Sequence, residues 1–291
     1  MKQTMFVSFS GGRTSAYMCH WLLENKSDEY DFIFIFANTG LEDERTLKFV
    51  DQCDKNMGLN LVWVEAVINP EKGEGTRHRV VNYETAQRGG EMFEALCAKY
   101  GIPNAANGMH CTRELKLSAM QDYKKSIGYK KKHLTAVGIR SDEADRMSDD
   151  FVENGLTYPL IKWANHATKE WIIHWWGEQS FDLKVPEHYG NCVTCWKKSF
   201  RKLAQVARDD VGAFDVFKKC ESLYGKIKYN GEDYRNHHGQ HVFYRKDNSV
   251  DDVIKMVDML PAFEDHKPEL QNDLFSDWNI TNGCDDSCEV Y

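Results

Sequence analysis

Val7-Ser-Phe-Ser-Gly-Gly-Arg-Thr-Ser-Ala-Tyr-Met18 is the stretch whose reading decides the fold. Thr4 to Ser8 (TMFVS) reads as a buried strand, and Thr14 to Asn25 (TSAYMCHWLLEN) as a helix with apolar residues recurring at three and four. Between them, Ser10, Gly11, Gly12, Thr14 and Ser15 occupy a strand-to-helix junction. Paired glycines let backbone N–H groups turn toward an anion, hydroxyls add donors, and the helix N-terminus contributes its positive dipole end. The turn lacks the Gly-Lys-Ser/Thr triplet after a four-residue spacer, so it is not a Walker P-loop.

The pattern repeats outward from this unit. DFIFIF (31–36) reads as a second strand, ANTGLED (37–43) as a loop, and Glu44 to Met57 as a helix closed by Gly58. LVWV (61–64) and HLTAVGI (133–139) read as further buried strands. Strands alternating with amphipathic helices require right-handed crossovers and a mostly parallel sheet, with ligands at the carboxyl ends of the strands. The expected fold class is therefore α/β, a Rossmann-like and mostly parallel sheet bearing a pyrophosphate-binding loop, plus a helical C-terminal region. Helices are expected near 91–99 and 113–126, whereas 67–90, charged and glycine-rich without clear periodicity, reads as a long loop. From Lys169 onward the pattern is helical, ending with a capping box at Ser249 and Asp252. The expected division is an adenine-nucleotide-binding α/β domain over 1–165 and a mainly helical region with a cysteine cluster over 166–291.

Composition narrows the function classes. The 291 residues carry 37 Lys and Arg against 45 Asp and Glu, a net charge of −8 that argues against a broadly basic nucleic-acid binder. Lys124, Lys125, Lys130, Lys131 and Lys132 form the densest basic cluster, which reads as a solvated helix end. No apolar run reaches the length of a membrane span, and the apolar run at the start is too short for a secretory leader, so a cytoplasmic protein without membrane contact is expected. The nine cysteines are an odd number, which favours thiol, metal or cluster roles over a disulfide framework. Cys19, Cys53, Cys97 and Cys220 lie in or near helical patterns and read as small buried hydrophobes.

The glycine turn resembles the SGGxDS pyrophosphate loop of the adenine-nucleotide alpha-hydrolase superfamily, which includes N-type ATP pyrophosphatases and PAPS reductases. Thr14 stands where that motif carries Asp, the residue that bears on magnesium handling. Further segments are similar in order along the chain: ANTGLED (37–43) to a DTG-like turn, VGIRSDEADR (137–146) to a G-x-R segment near the substrate, and YPLIKW (158–163) to the stretch before a cysteine pair. The likeness spans residues 7–200 and is nearest to the PAPS reductase-like proteins often encoded by phages.

That resemblance implies an enzyme using ATP, or PAPS in its place, with Mg2+ as companion ion. Ser10, Gly11, Gly12, Thr14 and Ser15 would hold the phosphates, and Asn38, Thr39 and Gly40 would line the nucleotide. Ser15, Lys116 and Arg140 are the implied catalytic residues, the two cations stabilising charge on the transferred group. The expected reaction is adenylation of an acceptor, a nucleobase or a small molecule, serving nucleobase modification or sulfur transfer. PAPS or APS reduction is the first alternative and a non-catalytic nucleotide-binding partner the second.

Cys192 and Cys195 form a C-x-x-C turn, whose spacing lets two thiolates meet one metal or cluster, with a redox thiol pair as the rival reading. APS reductases resemble this arrangement with a cysteine pair upstream, where this chain has His110 and Cys111. The implied metal set is Cys111, Cys192 and Cys195 with Cys284 or Cys288, holding a [4Fe-4S] cluster; zinc is the alternative. The histidines of HHGQH (237–241) fit no standard zinc helix, and Trp171, Trp175 and Trp176 at helical spacing read as core. Arg113 and Lys116, beside Cys111, suit an anionic ligand.

Overall fold

The computed structural model describes residues 2–71, 73–227 and 238–263. Strand β1 (Gln3–Phe9) leads through the glycine turn into α1 (Arg13–Lys26), and β2 (Tyr30–Asn38) through the Asn-Thr-Gly loop into α2 (Glu44–Met57). Asp43 caps α2 by accepting from the Arg45 N–H, and Gly58, in the left-handed region at φ 64°, ends it. Strand β3 (Val62–Val67) is followed by β4 (Arg77–Val81), and the sheet is completed by β5 (Thr135–Ala136) and β6 (Leu156–Thr157). The order is β4-β3-β2-β1-β5-β6, with all pairs parallel except β3 with β4. A mostly parallel α/β sheet with a helical C-terminal region is thus observed.

Two elements depart from the sequence expectation. Residues 77–81, expected within a loop, form the antiparallel edge strand β4, whose Arg77, Arg79 and Val80 side chains are exposed. An edge strand facing water on one side carries no continuous apolar run, so its sequence resembles a polar loop. The run 133–139, expected as a full strand, pairs over only two residues. The chain leaves the ladder where Gly138 packs on α1, since a Cβ there would stand 3.0 Å from Ser15 Cα.

Alternation along β1 divides the sheet faces. Met5, Val7 and Phe9 join a core with α1 and α2, while Phe6 lies on the other face with Ile35, Val64 and Met120. The second face is covered by a π-helical turn (Thr112–Ser118) running into α4 (Ala119–Ser126). Helix α3 (Glu91–Tyr100) joins this side, and after the short α5 (Pro159–Lys162), α6 (Lys169–Gly177) packs on α1. There Trp176 is fully buried and its indole N–H donates to the Arg13 carbonyl at 3.1 Å. Helices α7 (Phe200–Asp209), α8 (Asp215–Tyr224) and α9 (Val250–Lys255) share one core with α3, in which Phe93 stacks on Phe217 at 4.7 Å. The capping box at Ser249 and Asp252 is present. No helix among the described residues is long and apolar enough to cross a membrane.

Candidate functional site

The glycine turn sits at the carboxyl end of the central strand β1, where parallel α/β sheets expose backbone donors to ligands. Gly11 takes φ +86°, a left-handed conformation that L side chains rarely adopt, and an added Cβ would meet Thr46 at 3.1 Å and Phe36 and Val50 at 3.2 Å. The turn therefore needs glycine for both its backbone angle and its packing. Gly12 is the N-cap of α1 and makes no side-chain cap, so the first turn of the helix opens toward whatever occupies the turn.

Ser15 is fully buried and braces this loop from below. Its hydroxyl lies 2.9 Å from Ser10 Oγ, accepts from the Ser10 N–H at 3.1 Å and donates to the Gly12 carbonyl at 3.1 Å. These contacts make it a positioning residue for the loop.

A cavity of about 390 Å³ opens over the turn, lined by Ser10, Gly11, Gly12 and Thr14. Besides Arg13, four cationic residues line its walls, Arg45, Arg140, Lys169 and Lys184, together with the Glu187 carboxylate. Arg140 is buried, with Nε 3.0 Å from Asp142 and its terminal nitrogen 3.2 Å from Glu143. Arg45 pairs with Asp43 at 2.8 Å and lies over the Tyr189 ring at 5.1 Å, and the Asp43 hydrogen bond pushes the guanidinium still further up. Burial works to raise the Asp43 carboxyl, but the Arg45 hydrogen bonds outweigh it and hold it below the ordinary carboxylate range.

One wall comes from far along the chain. Arg13 grips residues 182–183, donating to both Asp182 carboxylate oxygens at 2.7 and 2.8 Å and to the Leu183 carbonyl at 2.6 Å. This fork ties the first residue of α1 to the segment carrying Lys184, Glu187 and Asn191 along the cavity rim.

The Asn-Thr-Gly loop is built from beneath by Glu65, a carboxylate with no solvent exposure. Glu65 accepts from Asn38 Nδ2 and the Gln87 N–H, each at 2.6 Å, and from Arg79 at 2.5 and 2.7 Å. Asn38 is itself fully buried and accepts from the Gly40 N–H at 3.2 Å, so it shapes the loop and is absent from the cavity lining. Thr39 donates from its N–H and hydroxyl to Glu42 at 3.0 and 2.7 Å.

The cysteine turn docks on this same loop. Val193 N–H donates to the Leu41 carbonyl at 3.0 Å, Glu42 bridges to Cys192, and Thr39 Oγ1 lies 3.3 Å from Cys192 Sγ. Lys198, almost wholly buried, holds the turn from inside through the His188 and Val193 carbonyls at 2.6 and 2.9 Å. Cys111, Cys192 and Cys195 then line one small cavity together with Thr39 and Lys116.

The structure thus brings Ser10, Gly11, Gly12, Thr14 and Arg140 to one cavity and places Thr39 and Lys116 at the neighbouring, cysteine-lined one. Gly40, at φ +74°, packs against Met92 and the backbone of Gln87. Arg113 pairs with Glu114 at 2.7 Å. Among the described residues, no group of three or more His, Cys, Asp or Glu side chains stands close enough to hold a metal ion. Cys284 and Cys288 lie outside the described residues. Cys111, Cys192 and Cys195 share a cavity without forming a ligand set among the described residues. Two histidines of the HHGQH segment tie the C-terminal helices: His238 Nε2 lies 3.1 Å from Asp252, and the His241 N–H donates to the Gly225 carbonyl at 2.8 Å.

Sequence reasoning missed Arg45, Lys169, Lys184 and the Glu65 support. Arg45 had a readable signal, since it stands in the first turn of the helix that follows the Asn-Thr-Gly loop.

Comparison with known proteins places these features in context. The model of the phosphoadenosine phosphosulfate reductase domain matches residues 4–174, from β1 into α6. The chain is similar to the uncharacterized nin region protein ORF290 of Escherichia phage lambda, at 32% identity over 98% of this chain and 94% of that protein. It is also similar to an uncharacterized protein of Methanocaldococcus jannaschii, at 27% identity over 74% of this chain but only 36% of the relative's length.

Proposed function

We propose, from the premise that this chain belongs to the phosphoadenosine phosphosulfate reductase domain family, that it uses the glycine-turn cavity to bind ATP and transfers the adenylyl group to an acceptor oxygen. The observation that carries this reading is the convergence of Arg45, Arg140, Lys169 and Lys184 on a cavity floored by Ser10 to Thr14. Backbone donors and four cations suit a polyphosphate, whose charge must be matched when it leaves water.

In this reaction the acceptor oxygen attacks the α-phosphorus, forming one P–O bond while the bond to the β-phosphate oxygen breaks. Pyrophosphate departs with the electron pair, and the acceptor's proton passes to solvent. The glycine turn and the first turn of α1 orient the phosphates in line. Arg140, held rigid by Asp142 and Glu143, faces the charge that develops on the leaving group. The Thr14 hydroxyl donates where the similar motif has a carboxylate, so Mg2+ would arrive with the nucleotide. Lys116, at the cysteine-lined cavity, is better placed for the acceptor than for the phosphates. The acceptor class that suits the reading is a nucleobase or a small molecule.

Incubation of the full chain with ATP, Mg2+ and a panel of nucleobase-containing and small-molecule acceptors tests this, with mass spectrometry following the products. Formation of AMP or an adenylated acceptor together with pyrophosphate is expected, without sulfite from PAPS or APS in the presence of thioredoxin. Sulfite release with no turnover of ATP would replace adenylation by reduction.

A further inference from the structure

A further cavity, of about 380 Å³, lies on the α4 side of the sheet and shares no lining residue with the glycine-turn cavity. Its walls include Ser8 of β1, Thr135 of β5, Asn154, Lys132, His133 and Lys124. Among the described residues that line it there is no carboxylate.

Lys124 is the unusual member. It is only 8% exposed, its ammonium donates to Thr135 Oγ1 at 3.0 Å, and it sits 4.5 Å from the centre of the Phe6 ring. A hydroxyl and an aromatic face solvate a cation but do not neutralise it, and a buried charge is ordinarily paired. Desolvation alone pulls this lysine down to about 8. Its group therefore still carries a proton at neutral pH, inside a wall that supplies no counter-charge.

The neighbours have the same polarity. Lys132 anchors through the Glu153 carbonyl at 2.8 Å, which leaves it further ammonium donors. His133 Nε2 is buried without a hydrogen-bond partner, its ring edge-on to Tyr129 at 4.7 Å. Thr135 spends its own hydroxyl proton on the His133 carbonyl at 3.2 Å, so the donors around the cavity are the two lysines, the imidazole, the Ser8 hydroxyl and the Gln121 and Asn154 amides, a set suited to an anion with several oxygens. The cavity exceeds a single oxyanion and falls within the range of small-molecule sites. Lys124 and Lys132 belong to the densest basic cluster of a chain whose net charge is −8, so the cavity stands apart from the acidic average of the surface.

We propose that this cavity is a phosphate-group site, in which Lys124, Lys132 and His133 receive the phosphate of a second ligand. The proposal stands independently of what the glycine-turn cavity binds.

Equilibrium dialysis of the full chain against radiolabelled inorganic phosphate tests it, using wild type, Lys124→Met and Arg140→Gln. Met keeps the length and apolar packing of the lysine stem while removing a buried charge, so this variant is expected to fold and to melt no lower than wild type. Lys124→Met should weaken one class of phosphate sites by at least about tenfold. Arg140→Gln, which alters only the other cavity, should leave that class intact. Glycerol phosphate and a short single-stranded oligonucleotide without terminal phosphate, added as competitors, distinguish a small ester from a nucleic-acid backbone as the source. Phosphate uptake unchanged by Lys124→Met, or abolished entirely by Arg140→Gln, would overturn the assignment.

Discussion

Gly11→Val is expected to destabilise the fold by about 2–5 kcal/mol and to lower ATP affinity by at least about 100-fold. Valine at φ +86° is strained by its own backbone, and its Cβ would press on Thr46, Phe36 and Val50 at 3.1–3.2 Å. Phe36 and Val50 are core side chains of β2 and α2, so the glycine turn is the part that must shift. A displaced turn no longer aims its N–H groups at the phosphates. Urea denaturation measures the first effect, and calorimetric titration at a temperature where the variant remains folded measures the second. A folded Gly11→Val protein that bound ATP like wild type would place the phosphates elsewhere.

Glu65→Ala carries the other large effect, an expected loss of about 3–5 kcal/mol. The carboxylate has no solvent exposure and holds three partners at once: Asn38 in the loop after β2, Arg79 on the edge strand β4, and the Gln87 backbone. Removing it leaves the Asn38 amide, the Gln87 N–H and the Arg79 guanidinium without their shared acceptor. Edge strand β4 should loosen first, because Arg79 is its cross-strand tie to β3. Hydrogen exchange would show lost protection at 77–81 and at the Asn-Thr-Gly loop, and urea denaturation would give the size of the loss. Glu65→Gln, which keeps the shape and one acceptor oxygen, should lose less.

What was legible in the sequence was what short stretches encode. The glycine turn could be read because its backbone demand, its hydroxyls and the following amphipathic helix are contiguous. The Ser249 cap and the Gly58 stop were readable for the same reason. Arg140 followed only from the resemblance of residues 137–146 to the family's G-x-R segment. Strand β4 was illegible because one face of an edge strand meets water, and its charges hide the alternation. The π-helical turn at 112–118 was illegible because its apolar spacing matches that of an ordinary helix. The cationic wall depends on tertiary closure, since Lys169 and Lys184 reach the glycine turn only when α6 packs on α1 and Arg13 grips Asp182. The resemblance gave Lys116 the task of stabilising charge on the transferred group, and the docking of the cysteine turn on residues 39–42 sets it at a cavity separate from the glycine turn, a placement no local stretch of sequence encodes. Asn38 shows the same limit. The resemblance implied that it lines the nucleotide, and the buried Glu65 beneath it adds a structural task that only the folded chain reveals.

The central claim is that ATP phosphates lie on the glycine turn under the cationic wall, and isothermal titration of ATP into wild type and Arg140→Gln tests it most directly. Loss of one charge-assisted contact to phosphate, worth about 1.5–3 kcal/mol, predicts an affinity lower by roughly 10- to 150-fold in the variant, with its urea midpoint measured alongside to confirm folding. Equal ATP affinity in wild type and a folded Arg140→Gln protein would contradict the account.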